Sequence, residues 1–168
     1  MNPLDNKAIT QIAPATVATN ATAAMIISKL GTRGETFDHA NILVNLGTAA
    51  TTSVTITTLK LQEGDTSVIS SHADIVAFTG GTATSTSVGF VLPVAAADQD
   101  GGQVIEFSVD LSKRKKYISL ELTPGQSMVC GATAILSKAS QSIDNTTTGS
   151  LTNFSDSDTL STYTIVKG

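Results

Sequence analysis

The 168-residue sequence has no tryptophan and one cysteine, Cys130. A single thiol cannot close an internal disulfide, and in "MVCGATAIL" it sits among apolar residues, the setting of a buried, inert thiol. Small secreted domains usually carry paired cysteines, so export is disfavoured. Charged residues are 14% of the chain and aromatic residues 4%. That scarcity argues against helices, whose surfaces draw on Glu and Lys. It also argues against the aromatic stacking platforms that hold single-stranded nucleic acid. The net charge is −4, whereas nucleic-acid binding shows as a basic surface, so no nucleic-acid partner is expected. The longest apolar stretch, "AAMII", falls far short of the roughly 20 residues of a bilayer span, so no membrane partner is expected. The opening "MNPLDNKAITQIAP" lacks a basic stretch followed by an apolar core, so no signal peptide is expected.

The residues of catalysis and metal binding are equally sparse. His39 in "TFDHAN" and His72 in "SSHAD" are the only histidines. Each has an aspartate close in sequence, but neighbours along a strand or turn do not make a catalytic arrangement. No Gly-x-Ser-x-Gly is present. No catalytic residue is assigned, and the chain is not expected to be an enzyme. The pairs Asp98/Asp100 in "DQDGG" and Asp156/Asp158 in "SDSD" offer fewer oxygens than a calcium loop requires, and read as acidic surface turns. No Cys/His set suits zinc. No metal or cofactor is expected.

What replaces the missing charge is Ser and Thr, about a quarter of the chain. Thr is β-branched and fits a pleated, half-exposed surface. Three zones follow: an Ala/Thr-rich arm over residues 1–24, a core over 25–139, and a Ser/Thr-rich arm over 140–168 ending in "TYTIV". The core alternates apolar and polar residues. Ile42, Val44 and Leu46 form one inward set; Ile105, Phe107, Val109 and Leu111 another; Ile118, Leu120 and Leu122 a third. In "SVTITTLKLQ", Val54 and Ile56 lose phase with Leu59 and Leu61, which predicts a bulge. Gly80-Gly81 reads as a turn, with Val88, Phe90 and Leu92 alternating up to Pro93. "ATAAMIISKL" leaves room for one short helix. Seven or eight strands with regularly spaced turns predict an all-β antiparallel sandwich, jelly-roll-like, with extended N- and C-terminal arms.

Lys113-Arg114-Lys115-Lys116 holds four of the ten basic residues. Alternating strands on both sides make it a hairpin connection, with Glu106, Asp110 and Glu121 available for charge pairing. It is then a solvated turn or a contact with an acidic partner surface. The first arm, with Leu4, Ile9, Ile12 and Val17, has little apolar surface to offset the entropy of ordering it. Holding it requires strand addition at a sheet edge or on a neighbouring subunit. The candidate partner-binding residues are therefore Ile9, Ile12 and Val17, the basic run Lys113, Arg114, Lys115 and Lys116, and Ile165 and Val166 in the last strand.

One more pattern stands out: Leu59-Lys60-Leu61 into Glu63 and Asp65, Val109-Asp110-Leu111, then Arg114 to Tyr117, then Thr123-Pro124-Gly125. Over about residues 37–140 this order resembles a family of small head proteins of tailed bacteriophages. The resemblance implies a capsid decoration or cement protein, a structural virion component on the capsid exterior. It would bind the major capsid protein and stiffen the shell by bridging subunits, as a homotrimer with exchanged arms. A neck or tail adaptor or fibre-base module is the alternative. A carbohydrate-binding β-sandwich is a third reading, for which Tyr117 and Tyr163 are the only tyrosines.

Overall fold

The structure is a computed structural model that describes residues 6–30, 36–47, 54–81, 89–92, 94–95, 103–137 and 161–166, with backbone alone at 6–10, 54, 94–95 and 161–166. Eleven strands are described: β1 Asn6–Val17, β2 Ala23–Ser28, β3 His39–Leu46, β4 Val54–Gly64, β5 Ala73–Gly81, β6 Phe90–Val91, β7 Val94–Ala95, β8 Gln103–Asp110, β9 Tyr117–Pro124, β10 Met128–Ser137 and β11 Ser161–Val166. They form two sheets, β1-β10-β3-β8-β11 and β2-β9-β4-β5-β6, with β7 paired to β4. Taking β1 to β5 and β8 to β10 as strands one to eight, the sheets read 1-8-3-6 and 2-7-4-5. This is the strand order of a jelly roll, an eight-stranded double sheet with few exposed edges. The pairing is antiparallel except for β11 on β8 and β6 on β5.

Period-two alternation builds the core. Ala40, Ile42, Val44 and Leu46 of β3 are buried, as are Ile105, Phe107 and Val109 of β8. They face Ile118, Leu120 and Leu122 of β9 and Leu59 and Leu61 of β4, all fully buried or nearly so. Phe107 joins the sheets at the centre. Its ring stands edge-on to Phe78 at 6.0 Å and to Phe90 at 5.6 Å. The predicted bulge is present: the β4–β9 register shifts between Ile56 and Thr58, so that Ile56, Leu59 and Leu61 all reach the core. Burial pushes the Cys130 thiol up to about 11, so it stays protonated at neutral pH.

Several expectations are corrected. "ATAAMIISKL" forms β2 rather than a helix, because Met25 and Ile27 alternate into the core. Gly80-Gly81 ends β5 rather than making a turn. Gly80 is needed for packing: a Cβ there would lie 2.3 Å from Leu92 Cδ2 and 2.9 Å from the Leu59 carbonyl. The segment between β8 and β9 is not a hairpin. Its two strands lie in different sheets, so it crosses from one layer to the other. Alternation specifies which side of each strand is buried, and says nothing about whether successive strands pair with each other.

The arms also take definite places. β1 pairs with β10 of its own chain over Asn6 to Val17, and β2 begins at Ala23, inside the zone read as the arm. Ile12 and Val17 pack against the chain's own core, while Ile9 falls at a register shift between Ala8 and Thr10. In β11, Ile165 stands beside Phe107 and Val166 beside Ser108 in the register. Val88, Pro93, Asp98, Asp100, Asp156 and Asp158 lie outside the described residues.

Candidate functional site

The end of β2 and the connections β4–β5 and β8–β9 lie at one end of the sandwich, where Lys29, Glu63 and Asp65 reach residues 111–115. Here the basic run meets its partners. Glu63, at the end of β4, lies 3.8 Å from Arg114 Nη1 through Oε1, and its Oε2 accepts the Lys115 backbone N–H at 3.1 Å. Asp65 Oδ2 is 3.3 Å from Lys115 Nζ. Two of the three carboxylates expected to pair with the run, Glu121 and Asp110, make their bonds elsewhere, although Asp110 still feels the charge of Lys113. Glu121 meets Lys60, and Asp110 accepts both the backbone N–H and the hydroxyl of Ser112. Those two bonds, helped by Lys113, hold the Asp110 carboxyl below its usual range. The partners differ from those predicted because the run reaches β9 by crossing layers, which sets it against the end of β4.

Lys29, a residue with no distinguishing motif in the sequence, ties the corner from within. Its ammonium donates to the carbonyls of Leu111, Ser112 and Arg114. Its backbone N–H donates to the Lys116 carbonyl at 2.9 Å. The basic run is thus divided. Arg114 and Lys115 are bound to β4 and the turn after it. Lys113 and Lys116 are exposed and make no ion pair among the described residues. Lys116 Nζ sits 5.3 Å from the centroid of the half-buried Tyr117 ring, so that ring is partly covered.

The outward faces of the sheets carry the two histidines. On the first sheet, His39 Nε2 lies 2.8 Å from Ser108 Oγ. Burial pulls the His39 imidazole below its usual pKa, against an opposing pull from Asp110 and Glu106. Asp110, opposite His39 in the register, accepts through Oδ1 from the N–H and hydroxyl of Ser112. On the second sheet, His72 Nδ1 lies 2.8 Å from Ser119 Oγ and Nε2 lies 2.8 Å from the Thr66 carbonyl. A carbonyl only accepts, so Nε2 carries the proton and donates. Nearby, Lys60 Nζ lies between Asp74 at 2.9 Å and Glu121 at 3.3 Å, and Gln62 Nε2 donates to Asp74 at 2.7 Å. Burial opposes the Lys60 charge, but the hydrogen bond to Asp74 and the two carboxylates raise its pKa overall. Asp74 is correspondingly lowered, chiefly by its bond from Lys60.

Among the described residues, no group of three or more His, Cys, Asp or Glu side chains is placed to hold a metal ion. The corner is a charged surface tied to the backbone through Lys29 and Glu63. Compared with protein-family models, curated proteins and solved structures, the chain matches none.

Proposed function

We propose that this chain is a structural virion protein, a decoration or cement protein that binds the outside of a tailed-phage head and stiffens it by bridging capsid subunits. One observation carries the reading. The segments that resemble the small head proteins are about fifty residues apart in sequence, yet they meet at one end of the jelly roll. Glu63 and Asp65, which follow Leu59-Lys60-Leu61, are the partners of Arg114 and Lys115, which follow Val109-Asp110-Leu111. A chance recurrence of strand and turn residues would not have to converge in space. Jelly rolls are used by viral capsid proteins and by lectins, so the fold agrees with the reading without deciding it.

The partner in this proposal is the major capsid protein, met through the exposed cations Lys113 and Lys116. The three-fold assembly with exchanged arms is not needed to order residues 6–17, because pairing within the chain does so. Purified virions test the proposal. Copies in the hundreds per particle, with heads that release DNA at lower temperature once the protein is removed, are the expected result. About a dozen copies would point to the neck or tail. Absence from virions, or heads equally stable without it, would overturn the proposal. For the corner itself, Lys113→Ser with Lys116→Ser should weaken capsid attachment at low salt and leave the fold intact. Unchanged attachment would leave the run a solvated turn.

A further inference from the structure

The edges of the two sheets are not equally protected. Edge strands are normally blunted by charge, proline or bulges, because their free backbone groups invite pairing. β1 has Pro14 and two register shifts, and β6 is two residues long. β2 has none of these devices. "AAMIIS" contains no charge and no proline, and its ladder with β9 runs from Ala23 to Ser28 without a shift. Met25 and Ile27 anchor it in the core.

The open groups can be named. Lys29 N–H donates to the carbonyl of Lys116, the residue just before β9. In an antiparallel ladder the direction of the backbone groups alternates, so Ile27 and Met25 also face β9, and Ala24, Ile26 and Ser28 face away. Their three N–H and three C=O groups are paired with no strand among the described residues; β1, the edge of the facing sheet, packs near β2 without bonding to it. At one end the edge is closed: Ser28 Oγ donates to the Leu30 carbonyl at 2.9 Å and accepts the Leu30 N–H. The free edge is therefore Ala24 to Ser28.

We infer that β2 is a self-pairing edge at which a second copy of this chain adds its own β2, antiparallel about a two-fold axis at Ile26. In this register Ile26 faces Ile26 of the second copy, and Ala24 faces Ser28 on either side. All six open groups on each copy then find partners. The choice of a second copy rests on charge and size. A neutral strand meets itself without like charges across the axis, and small residues flank the one large central pair. A charged foreign strand would find nothing here to recognise. The outward side chains at the edge are exposed at Ala24 and half-buried at Ile26 and Ser28. The inference stands apart from the capsid reading.

The test uses the full chain at tens of micromolar. Light scattering should give twice the chain mass. Ile26→Lys and Ile26→Glu should each give monomers, since each sets like charges on the axis. Mixing the two should restore a heterodimer, because each lysine then faces a glutamate. If a variant does not fold, hydrogen exchange on the wild-type chain decides the matter. The Ala24, Ile26 and Ser28 amides should be protected at high concentration and lose protection on dilution. A wild-type monomer or trimer, variants that remain dimers, a mixture that stays monomeric, or edge amides insensitive to dilution would each overturn the proposal.

Discussion

His39 and His72 look alike in sequence, in "DHAN" and "SHAD", and each lies against a serine on the outward face of a sheet. They do different jobs. His72 is a wedge: both ring nitrogens are engaged, its Ser119 partner is fully buried, and its ring fills the space above Gly64. His39 is a partly covered side chain with one side-chain bond among the described residues, beside the carboxylates Asp110 and Glu106. Both serines are buried, so it is burial of the imidazole itself, greater at His72 than at His39, and not the local motif, that sets the weight of the polar pair. A hydrogen bond is worth little net in the open, while a buried group left without its partner is costly.

The largest effect should come from breaking the wedge. A Cβ at Gly64 would lie 2.1 Å from His72 Cδ2, so Gly64→Ala must displace the ring, at the expense of its two bonds. We expect a loss of roughly 2–3 kcal/mol, read from urea denaturation. Next comes the contrast between the serines. Ser119→Ala should cost about 1–2 kcal/mol and Ser108→Ala about half that, because His39 keeps access to water. Equal losses would mean that the two pairs are energetically the same despite their burial.

A smaller effect, but one of distinct sign, is expected with pH. Burial lowers the folded pKa of His39 below the unfolded value of about 6.5, so the unfolded chain binds the proton more readily. Stability should therefore be full above that value and fall as pH drops through it, until the folded imidazole also titrates. His39→Gln should flatten this part of a Tm-against-pH profile. The smallest effect belongs to the Lys60 group. Asp74→Asn removes a partly exposed ion pair and should cost about 0.2–1 kcal/mol, less at high salt. Asp74 stability is present above its unfolded pKa and lost as pH falls through its lowered folded value.

Much of the sandwich was legible in the sequence, and the reason is local. Ile42/Val44/Leu46, Ile105/Phe107/Val109 and Ile118/Leu120/Leu122 were read as inward sets, and all are buried. The slip after Ile56 was equally visible, since a bulge shows as a break in phase. The candidate site was legible only in part. The basic run stood out by composition, but Lys29 carried no signal, and Glu63 and Asp65 entered through a resemblance rather than as charge partners. Gly80-Gly81 misled because glycine marks both turns and close contacts, and only the position of Leu92 tells them apart.

By itself, then, the sequence determined that the chain makes strands, which side of most of them is buried, and where a bulge interrupts β4. Side-chain direction along a strand depends on residues two apart, and that information is contiguous. Tertiary structure alone decided that β8 and β9 part into different sheets, that Arg114 and Lys115 meet Glu63 and Asp65, and that β2 is left with an open edge. Those outcomes depend on which distant strands share a core. Two strands with the same alternation can pair with each other or face each other across the sandwich, and the local pattern is satisfied either way.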